Sequence, residues 1–276
     1  VVNKIKWACS ARKAGHAGTL DPSATGILAI ALGEATKTIP YVTKQIKSYT
    51  FEVKWGEATD SDDSDGKIIK TSQMRPSEQD IIAILPRFRG EIKQTPPFFS
   101  AVKINGRRAY ELARSGEDFD IASRSLFVSS LKLETYISEN SAILSLECGK
   151  GGYVRSIARD LGLELGCYGH VKWLRRIASG SFNLSMAHSL DTILKLNKTS
   201  AVNNFILPVE LGLSTIKHGT CTSTAAEKIR NGNSAPILCN GARTGDEIWV
   251  SYSETPLAIG KYEAGAFLPK KVFNLI

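Results

Sequence analysis

The chain has 276 residues, 42% of them hydrophobic and 22% charged. That balance excludes a disordered polyelectrolyte and suffices for one large domain or two smaller ones. The 35 Lys and Arg outnumber the 27 Asp and Glu for a net charge of +8, which suits a polyanionic partner without requiring one.

Five cysteines are present and none forms a CxxC pair. Neither a zinc site nor a disulfide framework is expected, and reduced thiols in a cytosol are. Cys167 and His170 stand three apart, but two possible ligands do not make a metal site. No apolar run approaches the roughly 18 residues of a membrane span, and no signal peptide is visible. The chain begins at Val1 rather than Met, so an N-terminal segment is expected to precede it.

The first informative stretch is Gly15-His16-Ala17-Gly18-Thr19-Leu20-Asp21-Pro22-Ser23-Ala24-Thr25-Gly26. Its glycines permit turns that a Cβ would forbid. Pro22 holds Asp21 in extended or turn backbone. The apolar residues 27–32 that follow can anchor the turn in a core. Two readings of Asp21 stay open. It can cap a helix whose first residue is Pro22, or it can be a carboxylate on a rigid platform that receives a large planar ligand.

Residues 48–55 (SYTFEVKW) alternate polar and apolar side chains and predict a strand with Tyr49 near its head. A strand tyrosine is ordinarily half-buried packing. The acidic run at 60–66 reads as a solvated hairpin turn. Counting back from Gly66 puts Ser61 and Ser72 where a calcium loop needs Asp and Glu, so calcium is not expected. Residues 76–88 predict a helix capped at Ser77.

Thr95-Pro96-Pro97-Phe98-Phe99 makes a stiff aromatic corner, followed by a basic, glycine-interrupted stretch to Arg114. That stretch reads as an excursion from the core. Residues 126–133 and 142–148 predict two strands with a turn at Ser138-Glu139-Asn140 between them. Gly149-Lys150-Gly151-Gly152 then follows a strand and opens a helix, a place where anions can bind. Its spacing matches neither a Walker loop nor a dinucleotide fingerprint, since Val154 stands where the last glycine belongs.

Arg155 falls in the first turn of that helix, a poor place for a cation beside the helix dipole. It is either a surface charge or the partner of a specific acid. Lys172, Arg175 and Arg176 form a basic cluster able to contact phosphates. Composition shifts near Leu207-Pro208. Beyond lie a short helix at 225–231 and strands at 247–252, 256–262 and 266–273, a small β-rich unit. There is no internal repeat.

The stretch around Asp21 resembles the G-H-x-G-x-L-D-P-x-A-T-G signature of the TruB family of tRNA pseudouridine synthases at every fixed position. The resemblance continues through Lys47-Ser48-Tyr49, through P-P-x-x-S-A-x-K at 96–103 and R-x-A-Y-E-x-A-R at 107–114, and through K-G-x-Y-V-R-S at 150–156. The C-terminal unit looks like a PUA-type RNA-binding domain.

The resemblance implies an α+β fold. A pseudouridine-synthase-like catalytic domain with a central mixed or antiparallel β-sheet would span 1–210, with an RNA-clamping insertion at about 95–125. A small β-rich PUA-like domain would span 211–276. Asp21 would be the catalytic acid, Arg155 its ion-pair partner, and Tyr49 the ring against the target base and the proton acceptor. An Asp that must stay ionised in a dry pocket needs such a bidentate cation. Tyr153 would pack beside the site and His16 would contact the substrate loop. Leu174 would line the pocket, although a plain core leucine fits equally. Lys103, Arg107, Arg108 and Arg114 would contact tRNA phosphates.

The activity implied is conversion of the T-loop uridine of tRNA to pseudouridine with no metal or organic cofactor. The enzyme would be a cytoplasmic monomer with no membrane association and no obligatory protein partner. Two other readings remain: an RNA-binding module with a degenerate site, and a nucleotide-binding enzyme using the glycine loop. The chain departs from the family pattern twice. The family's opening strand and Lys-Pro motif would lie before Val1, and Gly152 stands where a Thr is common, which is expected to loosen the pocket wall.

Overall fold

The computed structural model describes residues 1–275. They divide into two compact units. One comprises Leu20–Ile27 and Lys44–Leu184, and its centre is a seven-stranded sheet. The strands are β1 (Thr25–Gly26), β2 (Lys47–Trp55), β3 (Gly90–Gln94), β4 (Arg124–Ser138), β5 (Ser141–Cys148), β6 (Gly169–Ser179) and β7 (Phe182–Asn183). Their order is β7-β6-β2-β5-β4-β3, with β1 also paired to β6. Only β1 runs parallel to its neighbour, so the sheet is mixed.

Alternation builds the core. The inward side chains of β2 are Lys47, Tyr49, Phe51, Val53 and Trp55, all buried. Tyr49 stands opposite Leu146 of β5 and Arg176 of β6. Helix α1 (Glu78–Ile84) starts at a capping box in which Ser77 and Asp80 satisfy each other's backbone N–H. Helix α2 (Val154–Glu164) buries Val154, Ile157, Ala158 and Leu161 in the same core.

Strand β4 runs further than the residues 126–133 that alternation marks. Register shifts along its pairing with β5 break the simple period, and Tyr136 packs on the core while donating to the Pro76 carbonyl at 3.3 Å.

Gly26 has φ +95°, and a Cβ there would lie 2.1 Å from the Arg176 carbonyl oxygen. Both the left-handed backbone and the clash oppose a side chain. Gly26→Ala is therefore expected to destabilise the protein by more than about 2 kcal/mol. Equilibrium urea unfolding checks this; an unchanged midpoint would contradict the β1–β6 contact.

The other unit comprises Val1–Thr19, Leu28–Thr43 and Ser185–Ile276. It opens with a helix at Val2–Ala8, followed by strand Ala14–His16 paired antiparallel with Ile30–Leu32. Its C-terminal part is a five-stranded sheet in the order Lys217–Thr220, Glu247–Tyr252, Thr255–Glu263, Ala266–Val272, Ala235–Pro236, packed by helix Ser223–Arg230. Ile229, Ile248, Val250, Ala258 and Phe267 form its core. A second cluster joins Tyr41 and Leu213 to Trp249, Ile259 and Phe273, and the Tyr41 hydroxyl donates to Glu247 Oε1 at 2.8 Å. Its helix Ser223–Arg230 and strands Glu247–Tyr252, Thr255–Glu263 and Ala266–Val272 lie where the sequence pattern marks them. Among the described residues no helix is long and apolar enough to cross a membrane.

Candidate active site

Asp21-Pro22-Ser23-Ala24 forms a tight turn closed by a 3.0 Å bond from the Ala24 N–H to the Asp21 carbonyl. Proline takes its favoured second position in such a turn. No helix starts here, which removes the helix-cap reading of Asp21. The next residues are fastened to β6. The Ile27 N–H donates to the Arg176 carbonyl at 2.8 Å, and Arg176 Nε donates back to the Ile27 carbonyl at 2.7 Å. The turn is thus held rigidly on the sheet, with the Asp21 side chain 29% exposed.

Asp21 faces Arg155, whose side chain is only 6% exposed. Arg155 Nη2 donates to Asp21 Oδ1 at 3.0 Å. Nε lies 2.8 Å from Oδ2 but its N–H is not aimed at that oxygen, so this second contact is Coulombic rather than a directed bond. The same guanidinium donates to the Phe99 carbonyl at 3.1 Å and the Ser61 carbonyl at 3.0 Å, and lies 3.3 Å from Asp63 Oδ2. One buried cation therefore serves two carboxylates and two carbonyls. This uses nearly every donor of the planar fork and fixes its orientation.

The acidic run is not a solvated turn. Residues 60–66 do connect an antiparallel pair, Glu57–Thr59 with Ile68–Thr71, but the turn folds inward and buries Ser61 and Asp62. Asp63 pairs with Arg155 and Asp62 with Arg159 at 2.9 Å. The cause is counter-charge: two arginines one helical turn apart on α2 compensate the cost of taking two carboxylates out of water. The spacing of Arg155 and Arg159 was a signal; their acidic partners lie some ninety residues earlier in the chain.

Tyr49 is buried, and burial pushes its phenol up to about 12 while the Arg176 guanidinium beside it pulls the other way. Lys47, two residues back on the same inward face, is pushed down to about 8 by burial and by Arg176. Tyr153 precedes α2 and is half-buried, with its phenol raised by burial. Its backbone is held by Gln94, which donates to the Tyr153 carbonyl at 3.1 Å and accepts from its N–H at 2.8 Å. Leu174 is buried in the same core as Tyr49.

Two expectations need correction. Arg176 cannot belong to a phosphate-binding cluster, because it is 1% exposed and turned to the core. Strand alternation sends Arg175 outward and Arg176 inward, and Lys172 is engaged by Glu52 at 2.9 Å. Nor does Gly152 loosen the wall: a Cβ there would lie 2.5 Å from Cys148 Sγ, so the thiol already occupies that space. Gly152 and Cys148 are a matched pair.

In the 95–125 segment, Lys103–Ile104 and Arg107–Arg108 form a small hairpin across Asn105-Gly106, both at positive φ. Helix Ala109–Arg114 follows and buries Ala109 and Leu112. Lys103, Arg107, Arg108 and Arg114 are all exposed. Arg107 pairs with Glu117 at 2.9 Å, Arg108 donates to the Ala101 carbonyl at 2.6 Å, and Arg114 lies 5.6 Å from the Tyr110 ring centroid. His16 is exposed at the end of its strand in the other compact unit.

The fold is shared with solved structures of low sequence identity. The chain superposes with a TM-score of 0.74 at 21% identity on a chain of an H/ACA ribonucleoprotein bound to a substrate RNA containing 2′-deoxyuridine, covering 98% of this chain and 79% of that one. A chain of a Cbf5-Nop10-Gar1 complex gives 0.73 at 23%, covering 98% and 78%. The fold is the one these chains share, a mixed α+β architecture with a separate β-rich unit at the C-terminus.

Sequence comparison narrows this. Residues 6–154 match the TruB family pseudouridylate synthase N-terminal domain and residues 155–214 the tRNA pseudouridylate synthase B C-terminal domain. Proteins named tRNA pseudouridine synthase B are similar along nearly the whole chain. That of Dinoroseobacter shibae is 51% identical over 99% of this chain and 90% of its own length; that of Bartonella tribocorum is 44% identical over 99% and 91%. The chain belongs to the TruB family of pseudouridylate synthases.

Proposed function

We infer that the protein is an isomerase that converts the T-loop uridine of tRNA, position 55, to pseudouridine. The observation that carries the site assignment is the buried Arg155 guanidinium gripping Asp21 in a turn that is itself riveted to the sheet.

The target uridine must leave the loop stack, at a cost of a few kcal/mol that is lower in a loop than in a duplex. In our reading Asp21, held by Arg155, acts on the ribose. It either adds to C1′ or removes the C2′ proton to give a glycal. Either route breaks the bond from C1′ to N1 and leaves uracil in the pocket. The ring turns and C5 bonds to C1′, which expels the Asp21 carboxylate in the first route or is accompanied by return of the C2′ proton from Asp21 in the second; the C5 proton is then removed and N1 takes up a proton. Tyr49 is the acceptor we assign. Burial keeps its phenol protonated at neutral pH, so as it takes the C5 proton it releases its own to solvent, from which N1 is protonated. Tyr153 and Leu174 bound the uracil, and His16 contacts the substrate loop. No released intermediate needs an external carrier, so the scheme uses neither metal nor organic cofactor.

Residues 1–210 would form the catalytic domain, with the 95–125 segment clamping the T stem-loop through Lys103, Arg107, Arg108 and Arg114. Residues 211–276 would supply a PUA-like RNA contact. We assign the enzyme to the cytoplasm as a monomer. A pure RNA-binding module has no use for Asp21, Tyr49 and Arg155 together. A nucleotide site at residues 149–152 is disfavoured because the Tyr153 N–H at the helix start is already taken by Gln94.

Tritium release from tRNA carrying 5-tritiated uridine tests the reading. Release is expected from a substrate with uridine at position 55 and lost when cytidine replaces it; release independent of that position would refute the assignment. A multi-phosphate clamp also predicts steep salt dependence. Raising salt from about 50 to about 200 mM is expected to weaken tRNA binding by about tenfold or more, and a flat response would remove the clamp.

A further inference from the structure

Arg159 sits one helical turn after Arg155, so both guanidinium groups leave the same face of α2. Arg159 Nη1 lies 2.9 Å from Asp62 Oδ2 and Nε 2.8 Å from Asp160 Oδ1, while Nη2 donates to the Thr95 carbonyl at 2.8 Å. Arg155 grips the same two neighbouring segments, through Ser61 and Asp63 on one side and the Phe99 carbonyl on the other. Ser156 Oγ adds another bond to the Thr95 carbonyl at 2.8 Å. The acidic turn, α2 and the 95–99 segment are therefore joined twice, once at the catalytic end and once a turn further along.

Asp62 is placed with care. Its φ of +60° lies in the left-handed region, where a non-glycine residue is strained. Its backbone is pinned by bonds from its N–H to the Thr59 carbonyl at 3.3 Å and from the Val171 N–H to its own carbonyl at 3.1 Å. A glycine would relieve the strain but would bring no carboxylate to Arg159.

We propose that Asp62 and Arg159 are a positioning pair for the reaction, holding the acidic turn against α2 so that Ser61 and Asp63 stay on Arg155 and Arg155 stays on Asp21. Neither residue touches the reacting atoms. The proposal rests on the reading of Asp21 and Arg155 given above.

The charged groups facing Asp62 are Arg155, Arg159 and Asp160 of α2, with Asp63 next to it in the turn and the Val171 N–H of β6 on its carbonyl. Burial pushes the Asp62 carboxyl up to about 6 against the pull of the two arginines. The carboxylate is ionised and paired at neutral pH, and the pair is lost as pH falls through that value.

The test is single-turnover pseudouridine formation with saturating unmodified tRNA between about pH 5 and 8.5, alongside tRNA dissociation constants and thermal unfolding. Asp62→Asn is expected to slow the step at least about tenfold at pH 7.5 with tRNA affinity within about twofold. The acid limb near 6 in the unmutated enzyme is expected to vanish in this variant. Arg159→Gln should behave alike, and Arg159→Lys should recover part of the rate. A folded Asp62→Asn with full rate and the same acid limb overturns the proposal. If that variant does not fold, full rate in Arg159→Gln overturns it instead. Turnover by Asp21→Asn, measured in parallel, would strike the underlying reading and not the pair.

Discussion

Asp21→Asn is expected to lose turnover by about 10⁴-fold or more while keeping its fold and its grip on tRNA. The substitution is nearly isosteric. The Ala24 to Asp21 turn bond is made by backbone and survives, and the amide oxygen can still accept from Arg155 Nη2. Arg155 also keeps Asp63 and two carbonyl acceptors, so it is not left as an uncompensated buried charge. The stability change is accordingly small, about 1 kcal/mol. What disappears is the anionic oxygen that either attacks C1′ or takes the C2′ proton. Single-turnover kinetics, tRNA binding and urea unfolding on one preparation check all three statements. A normal rate of tritium release would show that Asp21 is not the catalyst.

Arg155→Ala is expected to damage both rate and stability. It strips the cation from Asp21 and Asp63 at once and frees the Ser61 and Phe99 carbonyls. Breaking a buried pair by removing one partner typically costs about 3–5 kcal/mol, because the surviving charge stays buried. For a chain of this size that corresponds to a fall in Tm of about 10 °C. The rate loss is expected to exceed about 10³-fold. Arg155→Lys is the informative companion. An ammonium restores charge but cannot reach four acceptors held in a planar array, so it should regain stability more fully than rate. Equal recovery of both, or an Arg155→Ala enzyme with undiminished turnover, would show that the guanidinium is not there to hold Asp21.

These predictions rest on features that differ in how plainly the sequence displays them. Strand β2 was legible because its alternating side chains obey a period of two. The Ser77 cap of α1 was legible because capping is local chemistry. The C-terminal strands were legible from their glycine-punctuated apolar runs. Asp21 and Arg155 were identifiable as a pair only through the family resemblance, since 134 residues separate them. The inward fold of residues 60–66 was not legible. Nothing within the run says where its counter-charge will come from, and polar runs are normally solvated. Arg176 failed for a related reason. Composition places it with Lys172 and Arg175, whereas the irregular register of β6 between Val171 and Trp173 decides which of them face the core. Gly152 reads in the sequence as a missing side chain, but Cys148, the last residue of β5 and four positions earlier, fills its place.

The most direct test is to incubate unmodified tRNA transcript with the enzyme and map pseudouridine by carbodiimide treatment and primer extension. The account predicts a strong stop at the T-loop uridine at position 55, and none when Asp21→Asn replaces the unmutated protein. Absence of that stop with the unmutated enzyme, or an equal stop with Asp21→Asn, would contradict it.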